Sequence, residues 1–178
     1  MGLELIRGRR SQAGFSLIEG LIAALIALII ILGVLPLFAL ALRSNLSGAE
    51  STSVANLAQA RAEEYYQYPF NDSPELTIPV GSDQLVVDEV WTREDDGWIA
   101  GTEASALADG KTPIWTRRTR VRQFNVNDLL AGEGPLDGGA DPQQVQLKEI
   151  EVAVAGTRQA GNPLGGGKAL TVRVYKSQ

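Results

Sequence analysis

Residues 14–42 read GFSLIEGLIAALIALIIILGVLPLFALAL, and this stretch decides the fold. The 22 residues from Leu21 to Leu42 carry no charge. As a helix they would span roughly 33 Å, which is enough to cross the core of a bilayer. A buried helix is the alternative, but a chain of 178 residues has no core wide enough to hide it. The stretch therefore predicts a membrane-inserted helix.

The residues on either side of this stretch predict its orientation. Arg7, Arg9 and Arg10 precede it, whereas only Arg43 follows closely. Because basic residues stay on the cytoplasmic side, we expect a cytoplasmic N-terminus and an exported C-terminal part. A cleaved secretory signal would place small residues after the apolar run, and residues 42–45, LRSN, match that pattern poorly. A plain membrane anchor stays open at this point.

The composition excludes several kinds of chemistry. The chain holds no histidine and no cysteine, which removes disulfides, thiol nucleophiles, Ser-His-Asp catalysis and most zinc sites. Its net charge of −5 argues against a general nucleic-acid-binding protein. We therefore expect no enzymatic activity, no cofactor, no metal and no nucleic-acid partner.

Glu19 lies in the first turns of the apolar stretch. A carboxylate inside a membrane is costly unless it is paired, so this residue is a functional candidate. The alternative is a helix start in the headgroup region, where an acid suits the positive end of the helix dipole.

The N-terminal region closely resembles the class III signal of type IV prepilins and pseudopilins, because it has a basic leader, Gly14 and then the sequence FSLIEGLIAAL. The resemblance implies that a prepilin peptidase cuts after Gly14, on the cytoplasmic side of the apolar segment, and methylates Phe15. It also implies that Glu19 meets the N-terminal amine of a neighbouring subunit. Two buried opposite charges need each other, so this pair would fix the register of assembly. The motif covers only the first third of the chain.

Gly33 and Pro36 interrupt the apolar helix pattern. Proline has no backbone donor and clashes with the carbonyl four residues earlier. We therefore expect a kink or weakened helix between these two residues, where many pilins also carry a proline. A tolerated kink in an ordinary membrane helix is the alternative.

The helix is expected to continue to about Tyr68 because no proline occurs between Arg43 and Pro69. Apolar and aromatic residues recur there at spacings of three or four, which predicts one buried face. That face would carry Val54, Leu57, Ala58, Arg61, Tyr65 and Tyr68.

The remainder of the chain reads as strands separated by turns. The predicted strands are residues 76–80, 84–92, 98–100, 114–126, 145–155 and 168–176, with loops at 101–112, 128–143 and 157–167. Short links predict antiparallel pairing. We expect an α+β fold in which the second half of a long N-terminal helix packs on an antiparallel sheet of four or five strands. Its segments would be a leader at 1–14, the helix at 15–68 and a β-rich exported domain at 69–178.

Three further patterns are weaker as functional signals. Arg118, Arg120 and Arg122 share one strand face, and we favour a solvated face balanced by acids such as Asp88 and Glu149 over a nucleic-acid surface. Residues 94–97, EDDG, lack the spacing of a calcium loop and predict a turn. Residues 165–168, GGGK, lack the spacing of a phosphate-binding loop and are interpreted as a hinge.

These residues and the resemblance together predict a structural minor subunit of a type IV pilus, most similar to minor pilins of the PilV type. It would support pilus assembly, adhesion or motility. Its expected partners are the prepilin peptidase, other major and minor pilins through the N-terminal helix, the inner-membrane assembly platform, and a tip adhesin as a further candidate. Before assembly it would be a single-pass inner-membrane protein, and afterwards part of a periplasmic or extracellular filament. The alternatives are a minor pseudopilin of a type II secretion system, a competence pseudopilus subunit, and a membrane-anchored binding protein that never polymerises.

Overall fold

A computed structural model describes residues 16–71, 73–157 and 168–178. The chain divides into two compact units, Met1–Ser44 and Asn45–Gln178. The helices are α1 (Leu17–Gln67), α2 (Glu103–Ala108) and α3 (Val126–Leu130). The strands are β1 (Leu85–Thr92), β2 (Gly97–Ala100), β3 (Pro113–Phe124), β4 (Leu147–Gly156) and β5 (Ala169–Ser177).

The first unit contains the apolar part of α1. Every described residue from Ser16 to Ser44 is exposed, and the most apolar window of the helix has a mean hydropathy of 3.1. Among the described residues, α1 is the one helix that is long and apolar enough to cross a membrane. Aliphatic side chains exposed on all sides of a helix need lipid or other helices around them.

The second unit is a five-stranded antiparallel sheet in the order β2-β1-β3-β4-β5, with the C-terminal part of α1 on one face. On the helix the buried residues are Val54, Ala58, Ala62 and Tyr65. They pack on fully buried strand residues, namely Val121, Ile150, Val152 and Val154. Burying each aliphatic side chain contributes about 1.5–3 kcal/mol. The predicted α+β fold, with a long helix on an antiparallel sheet, is confirmed.

The two faces of the sheet follow from alternation along the strands. Thr119 and Val121 of β3 point to the helix, with Val152 and Ile150 of β4 as their cross-strand partners. The residues between them, such as Arg120, lie on the outer face. Because the period is two, a shift of one residue would exchange the charged and apolar faces.

Three local predictions differ from the structure. Residues 74–76 form a single 3-10 turn, and the predicted strand at 76–80 is absent from the described sheet. Pro74 and Pro79 have no backbone N–H, so neither can donate a hydrogen bond to a neighbouring strand. The predicted loop at 101–112 contains α2, which Thr102 and Ser105 start with a capping box. The predicted loop at 128–143 overlaps α3, whose N-cap is Asn125.

The connection between β3 and β4 is fastened to the rest of the unit by hydrogen bonds around Asp137. Its carbonyl accepts from the Gln123 amide at 2.7 Å, and its carboxylate accepts from the N–H of Gly139 at 2.6 Å. The N–H of Gly138 donates to the Ser82 carbonyl at 2.9 Å. A Cβ on Gly138 would lie 2.2 Å from the carbonyl oxygen of Ile78, so only glycine fits this contact. We call this group of contacts the Asp137 clasp.

Candidate functional site

The residues of the predicted N-terminal signal lie at the start of α1. Gly14 and Phe15 fall outside the described residues. Glu19 lies in the first turn of the helix and is exposed. The N–H groups of Glu19 and Gly20 both donate to the carbonyl of Ser16, at 2.9 and 3.1 Å. The helix therefore starts at Leu17, two residues before the acid, which places this carboxylate near the positive end of the helix dipole.

Helix α1 continues without a break through Gly33 and Pro36. Because proline has no N–H, the carbonyl of Leu32 loses its usual helical partner. A Cβ added to Gly33 would meet nothing within 4 Å. The chain thus keeps helical secondary structure at this point, and the kink expected here stays a prediction.

An ion cluster joins α1 to the sheet. Glu89 of β1 accepts from Arg61 of the helix at 3.0 Å and from Nε of Arg117 of β3 at 2.9 Å. The side chains of Arg61, Glu89 and Arg117 are 13%, 15% and 8% exposed. Glu64 gives Arg61 a second carboxylate at 2.7 Å. Burial lowers the pKa of Arg117, and the charge of Glu89 opposes this effect. These ion pairs therefore connect α1 to strands β1 and β3.

Aromatic rings flank this ion cluster. Trp98, Trp91 and Trp115 are cross-strand partners in one row of β2, β1 and β3. The guanidinium of Arg117 lies 4.1 Å from the centre of the Trp98 ring, and Trp91 meets Trp98 edge to face at 5.6 Å. These contacts pair aromatic faces with a cation and with each other, so they fix the cluster in place.

The arginines of the outer sheet face are paired with acids, as the sequence predicts. Arg118 meets Asp88 at 2.6 Å, and Arg122 meets Glu149 at 2.6 Å. Arg120 meets Glu151 at 3.1 Å. Opposite charges placed directly across neighbouring strands support the register. This outer face is therefore a balanced ladder, which disfavours a nucleic-acid surface.

Two lysines, one on each of the last two strands, donate hydrogen bonds to backbone carbonyls at the end of α1 and in the segment that follows it. The ammonium of Lys176 donates to the carbonyls of Tyr66 and Tyr68. These groups lack helical partners, and a cation is favourable at this negative end of the helix dipole. Lys148 donates to the carbonyls of Phe70 and Leu76, at 2.8 and 3.0 Å. Both side chains thus anchor the segment that leaves the helix.

Of the two remaining weak patterns, the structure fully describes one, the EDDG stretch at residues 94–97. The predicted turn is confirmed, with turn residues at 93–96, and Asp96 has a positive φ of 46°. In the described part of the chain, no group of three or more acidic residues is arranged to hold a metal ion. Residues 165–167 of the predicted hinge lie outside the described residues.

Comparison with known families gives one match, over residues 9–35, to the family described as Prokaryotic N-terminal methylation motif. The chain carries the N-terminal methylation motif. This motif is characteristic of type IV prepilins and pseudopilins. It implies processing by a prepilin peptidase and assembly with other pilins, and together with the apolar helix it indicates membrane anchoring. No curated protein and no solved structure matches the chain significantly. The match does not reach the sheet, and it does not confirm the PilV type.

Sequence reasoning missed the ion cluster and the buried Lys148. A signal for Lys148 existed, because it precedes Ile150 by two residues and therefore shares its buried face. A signal for Glu89 and Arg117 was weaker. Their pairing depends on the register of β1 with β3, which one sequence does not supply.

Proposed function

We propose that this chain is a structural minor subunit of a type IV pilus. A prepilin peptidase would remove the leader after Gly14 and methylate Phe15. The N-terminus would face the cytoplasm, and the sheet would be exported. In the filament, Glu19 would pair with the N-terminal amine of a neighbouring subunit and set its register. The mature stem would be residues 15–68 and the exported domain residues 69–178, with no enzymatic activity of its own.

One observation carries this proposal. The methylation motif at residues 9–35 runs directly into a helix whose described residues are all exposed as far as Ser44. A signal of this kind directs cleavage of the leader. A helix that is apolar on all sides can be surrounded by lipid before assembly and by other helices afterwards.

The chemistry of Glu19 supports the same function. In the membrane a lone carboxylate is costly. A cationic amine from another subunit would relieve that cost only when the two helices are in the correct axial position. The difference in free energy between these states would favour the correct register.

Processing is the first test of the proposal. In Gly14→Leu the leader should stay attached, because a bulky side chain would not fit the peptidase at the membrane edge. Gly20→Ala is the matched control, since a Cβ at Gly20 meets nothing within 4 Å. Mass spectrometry of the wild type and the control should find methylated Phe15 as the first residue. A retained Met1 in the wild type would overturn the proposal.

Filament entry is the second test. Glu19→Ala should leave membrane insertion and leader cleavage intact but lower the amount of protein in sheared filaments relative to membranes. Breaking a buried pair costs about 3–5 kcal/mol, so a large drop is expected. Glu63→Ala is the control, because Glu63 is an exposed acid on the same helix. Equal filament entry of Glu19→Ala and wild type would rule out the registering role.

The rival function is that of a minor pseudopilin in a secretion system. Deleting the gene should reduce surface pili and motility if the proposal holds. Loss of protein secretion with normal pili would instead identify a pseudopilin. A protein that keeps its leader and stays in membranes would be a non-polymerising anchor.

A further inference from the structure

A cavity of about 220 Å³ lies in the second unit. Its walls come from the segment after α1, from the connection between β3 and β4, and from the strands themselves. Asn71 and Thr77 line one side, Ala140 lines another, and Gln123 and Lys148 line the strand side. Apolar and polar groups share the wall, and the Asp137 clasp holds the loop that supplies Ala140.

Lys148 is one of the residues that line this cavity. Its two bonded carbonyls belong to Phe70 and Leu76. These residues directly precede the wall residues Asn71 and Thr77 in the chain. Lys148 itself is only 7% exposed, so a partner for its cation must meet it inside the protein, and the cavity that it lines offers such a space.

The charge and the donors of Lys148 are not fully matched within the described residues. An ammonium carries three N–H groups, and the two carbonyls account for two of them. None of the salt bridges among residues 16–71, 73–157 and 168–178 involves Lys148. The Phe70 ring, 5.0 Å away, gives partial compensation. Burial lowers the pKa of Lys148, with a further contribution from the positive charge of Lys176.

We propose that this cavity binds a carboxylate group, which accepts the remaining N–H of Lys148. Asn71 also lines the cavity, and its side chain carries an amide that can donate hydrogen bonds. A single buried cation balances a single negative charge, which favours a carboxylate over a doubly charged phosphate. The cavity is smaller than most ligand pockets, which hold about 300–1,000 Å³. Its ligand is therefore a small organic acid or one acidic side chain of a partner protein.

The test observes the lysine signals of the full chain in detergent micelles by NMR with ¹³C-labelled lysine. The chain has only four lysines, Lys111, Lys148, Lys168 and Lys176, so the signals can be assigned individually. The probes are acetate, for a free acid, and glutamate blocked at both termini, for an acidic side chain. Acetamide and blocked glutamine are their neutral controls.

We expect the carboxylates to move the Lys148 signal selectively and to raise its titration midpoint. The neutral amides should do neither. Tighter binding of blocked glutamate would identify a partner side chain as the source, and tighter binding of acetate would identify a free acid. An unmoved Lys148 signal at millimolar carboxylate, or equal shifts with the amides, would overturn the proposal.

A cavity-filling variant separates binding from folding. Lys148→Met would leave two carbonyls without their donor and could unfold the unit, so Ala140→Leu is the better change. It should weaken binding by about tenfold or more while leaving Lys148 in place. Ala131→Leu is the matched control, because Ala131 is exposed in the same connection and does not line the cavity. Unchanged binding in Ala140→Leu would overturn the proposal.

A last variant addresses an internal source of negative charge. Asp72 follows Asn71 in the chain and lies outside the described residues. In Asp72→Asn, the Lys148 signal of the ligand-free protein should keep its titration midpoint. A lower midpoint would assign the counter-charge to Asp72 and would overturn binding of an external carboxylate.

Discussion

Replacing Glu89 by glutamine should destabilise the second unit by about 3 kcal/mol. The carboxylate of Glu89 is shared by Arg61 and Arg117, and all three side chains are at most 15% exposed. Removing one partner of a buried pair costs about 3–5 kcal/mol. We expect a loss at the low end of this energy range, because glutamine keeps one acceptor oxygen and Arg61 keeps its bond to Glu64. For a unit of this size, about 3 °C per kcal/mol predicts a fall in Tm of about 9 °C.

Asp88→Asn is the matched control for this prediction. Asp88 is the next residue on β1 but lies on the opposite face, where its partner Arg118 has a side chain that is 56% exposed. Exposed pairs of this kind contribute about 0–1 kcal/mol. Thermal unfolding can be followed by tryptophan fluorescence, since Trp98 stacks on Arg117. Equal shifts in Tm for the two variants would show that the buried cluster contributes no more than a surface pair.

Two further changes test the core and the β1–β2 turn. Ile150 lies under the helix with 0% exposure. Ile150→Ala should lower the free energy of unfolding, measured by denaturant titration, by about 2–5 kcal/mol. A loss below about 1 kcal/mol would show that the helix does not cover this strand. Asp95→Asn removes a carboxylate whose pKa is lowered by its bond to Lys111 and then by that to Thr92. A carboxylate whose pKa is lowered in the folded state stabilises the fold at pH values above its pKa in the unfolded chain. The wild type should therefore be more stable than Asp95→Asn at pH 7. That difference should close as the pH falls below about 4, and a gap that persists in acid would contradict the assignment.

The sequence predicted the elements whose patterns are long and regular. Helix α1 has a continuous apolar stretch followed by a stripe at spacings of three or four, and its observed end at Gln67 lies just before Pro69. Strands β4 and β5 alternate clearly. The two short helices were missed because they are six and five residues long. Their start depends on the caps at Thr102 and Asn125 and not on periodicity.

The N-terminal signal could be predicted because its residues are adjacent in the chain, and the methylation motif at residues 9–35 agrees with it. The ion cluster could not, since Arg61, Glu89 and Arg117 come from three separate elements. Their approach depends on the strand register and on the rotation of the helix over the sheet. A single sequence specifies neither of these geometric quantities directly.

The Asp137 clasp has a consequence for where the protein can fold. The chain contains no cysteine, so no disulfide can close this connection. A loop fastened by hydrogen bonds and one close-fitting glycine forms without an oxidant or an isomerase, and reducing agents leave it closed. The second unit should therefore reach the same fold in a reducing compartment as in an oxidising one, and its folding is independent of thiol chemistry.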